Sequence, residues 1–258
     1  PIRLLDTRAG QGNCDNVSAP ITGGTSLTTF ARITCEGLTI PGKAFSLVGN
    51  ATVINQSGQT GYLTIYPDDG PAPLAANMVY FPGNILANAF TTRLSKDGKF
   101  NIFGEKTIDM IVDVTGYFSN EANDVNGPGM LFYPLSQPLR LLDTRPEQGP
   151  CDTVGTPISG GSSMVVTGRL SCDGQTIPSK ARALQGNVTV INGSAQAGYL
   201  TLYPDGVAQP LAANLIYFPN QILSNAFLVG VDLTNGKFRI FAERTLEAIV
   251  DVSGFFIP

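Results

Sequence analysis

The chain contains one unit written twice. Pro-Ile-Arg-Leu-Leu-Asp-Thr-Arg at 1–8 returns as Pro-Leu-Arg-Leu-Leu-Asp-Thr-Arg at 138–145. Ile-Val-Asp-Val-Thr-Gly-Tyr-Phe at 111–118 returns as Ile-Val-Asp-Val-Ser-Gly-Phe-Phe at 249–256. The offset is 137 residues up to Phe90 and Phe227, then 138 from Gly98 and Gly236, so a single inserted residue separates the copies between those landmarks. More than half of the aligned positions are identical. A repeat of roughly 120 residues is domain-sized and can bury its own core. Solenoid and propeller repeats are far shorter, roughly 20–50 residues. Two complete domains in series are therefore expected.

Each copy reads as short apolar runs separated by turn residues, the pattern of an all-β sandwich or barrel. In the first copy the expected strands are 2–7, 26–33, 44–48, 50–55, 61–66, 76–81, 88–94, 99–104 and 110–118. Asp97-Gly98 and Asn235-Gly236 read as tight hairpin turns between extended runs. No stretch sustains a 3.6-residue period, and Ile85–Phe90 could hold a turn of helix at most. The fold class is all-β, with two tandem homologous β-sandwich domains of Ig-like or jelly-roll-like type. The boundaries are 1–118 for the first copy, 119–129 for a polar, turn-rich linker, and 130–258 for the second copy.

The four cysteines keep the repeat register: Cys14 and Cys35 in one copy, Cys151 and Cys172 in the other, each pair 21 apart. This favours one disulfide inside each domain, with paired free thiols as the alternative. Disulfides imply an oxidising compartment, so the expected location is extracellular or cell-surface. The net charge of −4 and scattered basic residues speak against a nucleic-acid partner. No apolar run approaches the length of a membrane span.

Histidine is absent, which removes the usual general base, the Ser-His-Asp and Cys-His arrangements and every imidazole metal site. The remaining catalytic options are a carboxylate pair, as in a glycosidase, and a lysine-assisted serine. The acids shared by both copies are few, and a whole active site is seldom duplicated in tandem. No enzyme activity and no cofactor are expected. Asp68-Asp69-Gly70 hints at calcium, but the second copy reads Asp205-Gly206-Val207, too few oxygens for that ion.

Asp-Thr-Arg at 6–8 and 143–145 is the most distinctive polar motif. A guanidinium fork could clamp a ligand. The structural alternative is stronger, because Asp113 and Asp251 interrupt apolar strands and a buried charge must be paired. The expected ion pairs are Arg8 with Asp113 and Arg145 with Asp251, or Arg3 and Arg140 in their place. Asn16, Asn50, Asn55, Asn187 and Asn192 stand in Asn-x-Ser/Thr triplets and are candidate glycan acceptors. Tyr62 and Tyr199, or Tyr66 and Tyr203, are candidate platforms for sugar rings, although most of the repeated aromatics are expected in the core.

The copies differ in one informative place. Met130-Leu131-Phe132-Tyr133-Pro134-Leu135-Ser136-Gln137 precedes the second copy, while the first opens directly on Pro1. Met130, Leu131, Phe132 and Tyr133 form a candidate assembly strand. Three arrangements are compatible with this: a segment lost before Pro1, Met130–Tyr133 packed between the domains, or an open edge on the first copy that a neighbouring molecule fills by strand addition. Head-to-tail contacts of that last kind, when they do not close, build filaments.

Taken together, Arg-Leu-Leu-Asp-Thr-Arg, Ile-Pro-x-Lys-Ala, Asn-x-Thr-Val, Gly-Tyr-Leu-Thr-x-Tyr-Pro, Asn-Ala-Phe and Ile-Val-Asp-Val-x-Gly-Tyr/Phe-Phe resemble a β-sandwich repeat of secreted bacterial cell-surface proteins. The resemblance spans essentially the whole chain, twice. It implies an extracellular location and a tandem architecture, and it names no activity. In such repeats a short strand ending in Pro precedes the Arg-Leu-Leu-Asp-Thr-Arg motif, a place that Met130–Gln137 fills for the second copy alone. The functional expectation is a non-enzymatic extracellular structural protein, a subunit of a filament or surface layer whose partners are copies of itself. The alternative is a carbohydrate-binding adhesion module whose partners are cell-surface glycans.

Overall fold

The computed structural model of the 258-residue chain describes every residue except 12–13, 16, 149–150 and 154, with the backbone alone for Asp152 and Thr153. It divides into two compact units, Pro1–Gly129 and Met130–Pro258. No helix occurs among the described residues.

The first unit contains β1 (Ile2–Asp6), β2 (Thr25–Phe30), β3 (Thr34–Cys35), β4 (Leu38–Thr39), β5 (Ala44–Ile54), β6 (Gly61–Pro67), β7 (Met78–Tyr80), β8 (Ile85–Arg93), β9 (Lys99–Gly104), β10 (Asp109–Ser119), β11 (Asn123–Asp124) and β12 (Gly127–Pro128). Its two four-stranded antiparallel sheets run in the orders β1-β10-β5-β8 and β2-β9-β6-β7. The second unit contains β13 (Leu131–Asp143), β14 (Asp152–Thr153), β15 (Ser162–Thr167), β16 (Ser171–Cys172), β17 (Gln175–Thr176), β18 (Ala183–Ile191), β19 (Gly198–Pro204), β20 (Leu215–Tyr217), β21 (Ile222–Gly230), β22 (Lys237–Ala242) and β23 (Glu247–Ile257). Its sheets are β14-β13-β23-β18-β21 and β15-β22-β19-β20, the same layout with the short parallel strand β14 at one edge. This is the all-β, tandem-sandwich architecture read from the repeat.

Each sandwich closes over one apolar core. In the first unit, Leu4, Leu47, Leu63, Tyr80, Phe100, Ile102, Met110 and Val112 are fully buried. Leu141, Leu184, Leu200, Tyr217, Phe238, Ile240, Ala248 and Val250 take the same places in the second. Strand β22 shows the cause plainly. Phe238, Ile240 and Ala242 point inward while Lys237, Arg239 and Phe241 do not, the two-residue alternation of a sheet with one buried face. Burying an aromatic or branched side chain of this kind contributes about 1.5–3 kcal/mol.

Tyr80 and Tyr217 cross the core as matched struts. Each phenol accepts a backbone N–H, from Lys106 at 3.1 Å and from Arg244 at 3.0 Å. Burial raises both phenols above the ordinary tyrosine range. Their rings lie against Gly61 and Gly198, where an added Cβ would sit 2.8 and 2.7 Å from the hydroxyl oxygen. That contact explains why the Gly-Tyr-Leu-Thr segment begins with glycine in both copies.

Four local expectations are corrected. The stretches 44–48 and 50–55 form one strand, β5, which runs through Gly49 without a break. Ile85–Phe90 is not helical; it belongs to β8, held by nine consecutive register pairs with β5. Asp97-Gly98 does not turn a hairpin, because β8 and β9 belong to different sheets. Gly98 keeps its left-handed conformation (φ 76°), but the chain crosses between the layers there, with the Arg32 side chain packed over it. Residues 119–129 are more than a polar linker. They extend β10 to Ser119 and form the hairpin β11–β12, which folds back on the first unit.

Candidate functional site

The Arg-Leu-Leu-Asp-Thr-Arg strand sits beside the closing strand of each repeat. In β1 the register shifts between Arg3 and Leu5, so Arg3 faces Asp113 and Leu5 faces Val112. Such a bulge breaks strict alternation. It lets Leu4 and Leu5 both bury completely while Arg3 and Asp6 approach each other.

Arg3 then binds Asp113 in a fork, Nε donating to Oδ1 at 2.9 Å and Nη2 to Oδ2 at 3.2 Å. Arg8 folds back on Asp6 with a second fork, at 2.9 and 2.6 Å, and its own backbone N–H also donates to Asp6. Thr7 donates to Asp109 and accepts from the Met110 N–H at 2.8 Å. The second unit repeats the pattern. Arg140 forks onto Asp251 at 2.8 and 3.2 Å, Arg145 forks onto Asp143 at 3.0 and 2.7 Å, and Thr144 bridges Glu247 and the Ala248 N–H.

The pairing of Arg8 with Asp113 and of Arg145 with Asp251 is therefore corrected. Arg3 and Arg140 hold those carboxylates, the second of the two arrangements expected. Arg8 and Arg145 are two residues from an aspartate on their own strand, and a guanidinium that can close a local fork has no reason to reach across the sheet. The Nε and Nη2 groups of Arg8 and Arg145 are thus engaged by the motif's own aspartates.

Cys14–Cys35 and Cys151–Cys172 are disulfide-bonded, with Cα atoms 5.8 and 5.6 Å apart. Each bridge ties the segment after the motif strand to the small hairpin, β3–β4 or β16–β17. The Asp15 carboxyl next to Cys14 has a buried Oδ2 with no hydrogen-bond partner, and burial raises its pKa.

The asparagine triplets fall in structured places. The Asn55 amide nitrogen donates to the carbonyls of Gln59 and Phe81, and Asn192 donates to those of Gln196 and Phe218. Both are buried, as is Asn50 inside β5. A glycan needs that nitrogen exposed, so these three are corrected as acceptors. Asn187 lies mid-strand in β18, between β21 and β23. Asn16 lies outside the described residues.

The aspartate turns are held by arginine. Arg93 binds Asp69 at 2.5 Å and Arg239 binds Asp205 at 2.6 Å. Among the described residues, no cluster of three or more Cys, Asp or Glu could hold a metal ion. Tyr66 and Tyr203 are buried and bond to Ser26 and Ser163 at 2.8 and 2.7 Å, which corrects them as sugar platforms. Tyr62 and Tyr199 remain half-buried, each paired with a phenylalanine, Phe103 or Phe241, at 5.7 and 5.6 Å between ring centroids. A cleft of about 320 Å³ in the second unit is lined by Arg169, Lys180, Arg182 and Leu233 among others, with no Asp or Glu side chain in its wall.

The largest difference between the units is at one sheet edge. Strand β13 pairs with β23 in two legs. Leu139–Asp143 matches β1, and Leu131–Pro134 continues the ladder along Phe255–Ile257 and Gly254. Phe132 lies 5.0 Å from Phe256, and Tyr133 stacks on Phe255 at 5.9 Å. Met130–Tyr133 thus completes its own unit. The ladder of β1 along β10 begins at Ile2 opposite Val114. Beyond that point Gly116–Ser119 pairs with β5 on one side, and no strand pairs with its other side among the described residues. Phe118 is 41 % exposed, whereas its counterpart Phe256 is 9 % exposed.

No family model matches the chain, and no curated protein matches it. Among solved structures, it is similar to the N-terminal CBM22-1–CBM22-2 tandem domain of Paenibacillus barcinonensis Xyn10C, at 8 % identity and a TM-score of 0.26, over 100 % of this chain and 98 % of that one. It is also similar to the STIV MCP, at 7 % identity and a TM-score of 0.23, over 93 % and 94 % of the two chains. Likeness at that level decides nothing about ligand or assembly.

Proposed function

We propose that the chain is a non-enzymatic extracellular structural protein, a subunit joined to its neighbours in a filament or surface layer through strand-edge contacts. The observation that supports this most is the tandem repetition of a disulfide-bonded sandwich whose most distinctive polar motif is taken up by internal Arg–Asp forks. In the second unit Leu131–Pro134 adds a further antiparallel leg along the end of β23, and addition of a strand to a sheet edge is a route by which one chain joins another. Two intradomain disulfides fit an oxidising compartment, and the resemblance to repeats of secreted bacterial surface proteins points the same way. The engaged Arg–Asp forks and the absence of histidine favour a structural role over turnover.

The test is negative-stain microscopy of the purified chain over a concentration series. Filaments, sheets or end-to-end oligomers are expected, and dispersed monomers throughout would defeat the reading.

Carbohydrate binding is the second reading. It rests on the half-buried Tyr62–Phe103 and Tyr199–Phe241 pairs, which repeat at matched positions. A glycan array would register binding that falls on Tyr62→Ala and Tyr199→Ala, and an array without hits would remove it.

A further inference from the structure

The acids matched across the two copies are used in two ways. Asp6, Asp113, Asp143 and Asp251 are taken up by arginine forks. Glu105 and Glu243 are not. Their side chains are 40 % and 37 % exposed. Among the described residues neither carboxylate accepts a hydrogen bond. Each has the cation next to it in sequence at the limit of an ion pair, Lys106 at 4.0 Å and Arg244 at 3.9 Å. Ion pairs this loose and this exposed hold a carboxylate weakly and leave its oxygens open to other donors.

Strand register places each of these carboxylates beside a ring pair. The Glu105 N–H donates to the Tyr62 carbonyl at 3.0 Å, so Glu105 lies across from Tyr62 at the end of β9. Ile102 and Gly104 face the core, and Phe103 and Glu105 therefore share the outer face with Tyr62. Val79 flanks Tyr62 on its other side and is exposed. Beyond Glu105, one step past the Thr25–Gly104 pair, comes Gly24, where an added Cβ would meet nothing within 4 Å. The second unit repeats the row as Ile216, Tyr199, Glu243 and Gly161, and Gly161 is equally open. The turn that carries the open glycine is pinned. A Cβ on Gly23 or Gly160 would lie 2.9 Å from the backbone nitrogen of Thr107 or Thr245. The ring pairs have one geometry too, tilted by 42° and 40°. Each unit thus holds a ring and a carboxylate side by side on a sheet, bordered by a glycine that leaves room.

We propose that each unit binds a neutral hexopyranose chain on this row, stacked on Tyr62 or Tyr199 and held through its hydroxyls by Glu105 or Glu243. This rests on the carbohydrate reading above and deepens it by naming the ligand class and the hydrogen-bond acceptor. A sugar ring has an apolar C–H face that matches a half-buried aromatic face, and a rim of hydroxyls that donate to a carboxylate. A hydroxyl bonded to an ionised acceptor is held more strongly than one bonded to a neutral group. The charge of the site selects the class. Glu105 with Lys106, and Glu243 with Arg244, sum to zero. A neutral polyol can use the carboxylate as acceptor and the cation as donor together. An acidic sugar would set its own carboxylate against the glutamate.

The probes are linear hexasaccharides of glucose, mannose and galactose, with hexagalacturonate as the acidic comparison, titrated into the full 258-residue chain by calorimetry. At least one neutral probe should bind saturably at two sites per chain, and more tightly than hexagalacturonate. The double change Glu105→Gln with Glu243→Gln should weaken it at least about tenfold, equivalent to about 1.4 kcal/mol. The thermal unfolding midpoint should stay level, because neither carboxylate is bonded inside the fold. Either single change should leave one site of the two intact. Tighter binding of hexagalacturonate, or neutral binding indifferent to the double glutamate change, would overturn the proposal. If that binding still falls on Tyr62→Ala and Tyr199→Ala, the carbohydrate reading stands and only this assignment is lost. Absence of binding by every probe would overturn both.

Discussion

Arg3 and Asp113 face each other across β1 and β10, joined by two hydrogen bonds of 2.9 and 3.2 Å. Both side chains are almost wholly buried, at 9 % and 2 % exposure. The pair holds the motif strand to the closing strand of the repeat, where a one-residue slip would turn Leu5 and Val112 out of register. Arg3→Ala would leave the Asp113 carboxylate buried without its main counter-charge, and breaking such a pair costs about 3–5 kcal/mol. Arg140 in the matching pair is 38 % exposed, so solvent screens it and Arg140→Ala should cost distinctly less. Urea unfolding of the two variants checks this order, and equal losses would contradict it.

Asp143 gives the second unit an acid limb. The fork from Arg145 holds its carboxyl below the ordinary range, against the opposing effect of burial. The folded chain therefore keeps that proton off at a pH where the unfolded chain takes it up. Stability rises with pH across that interval, is fully present above the ordinary aspartate value of about 4, and is lost as pH falls through the folded value. Asp143→Asn should flatten this part of the pH–stability curve, measured by urea unfolding between neutral and strongly acidic pH. An unchanged slope would contradict the assignment.

Gly198 is fixed by the ring of Tyr217. An added Cβ would lie 2.7–2.9 Å from three of its atoms, and the ring is fully buried and cannot retreat freely. Gly198→Ala should destabilise the second unit by about 1–3 kcal/mol, the usual range for overpacking. The double change Gly198→Ala with Tyr217→Phe should recover little, since two of those contacts come from ring carbons. Full recovery in thermal unfolding would show that the hydroxyl alone sets the limit.

Tyr117 is the anchor of the β11–β12 hairpin through its two hydroxyl contacts. Tyr117→Phe removes both and should cost about 1 kcal/mol or less, the scale of a net hydrogen bond at a partly exposed site. Amides of residues 123–128 should exchange faster while those of the second unit stay unchanged. No change in 123–128 would mean that Asn126 and the Thr39 carbonyl hold the hairpin without help.

The parts of this fold that were legible in the sequence are those that depend on chain distance. Two cysteines at the same spacing in both copies marked the bridges, and the two breaks in the apolar pattern marked carboxylates needing a cation, Asp113 buried and Asp251 partly exposed. Which arginine would answer was not legible, because that depends on strand register, and the bulge between Arg3 and Leu5 has no residue signature of its own. The same blindness explains Ile85–Phe90. Its apolar residues fit a helical turn locally, but β5 offers it a full ladder, and tertiary pairing overrides a short local preference. Asp97-Gly98 reports that the chain turns, without reporting that it changes sheets. Asn55 and Asn192 satisfied a three-residue pattern that carries no information about burial. That Met130–Tyr133 would join its own sheet was not legible either, because an apolar run does not report which strand it will pair with.

Sedimentation of the purified chain over a concentration series tests the central claim, that this is a self-assembling structural subunit, most directly. Species larger than one chain should grow in with concentration. A single one-chain species at every concentration would contradict the account.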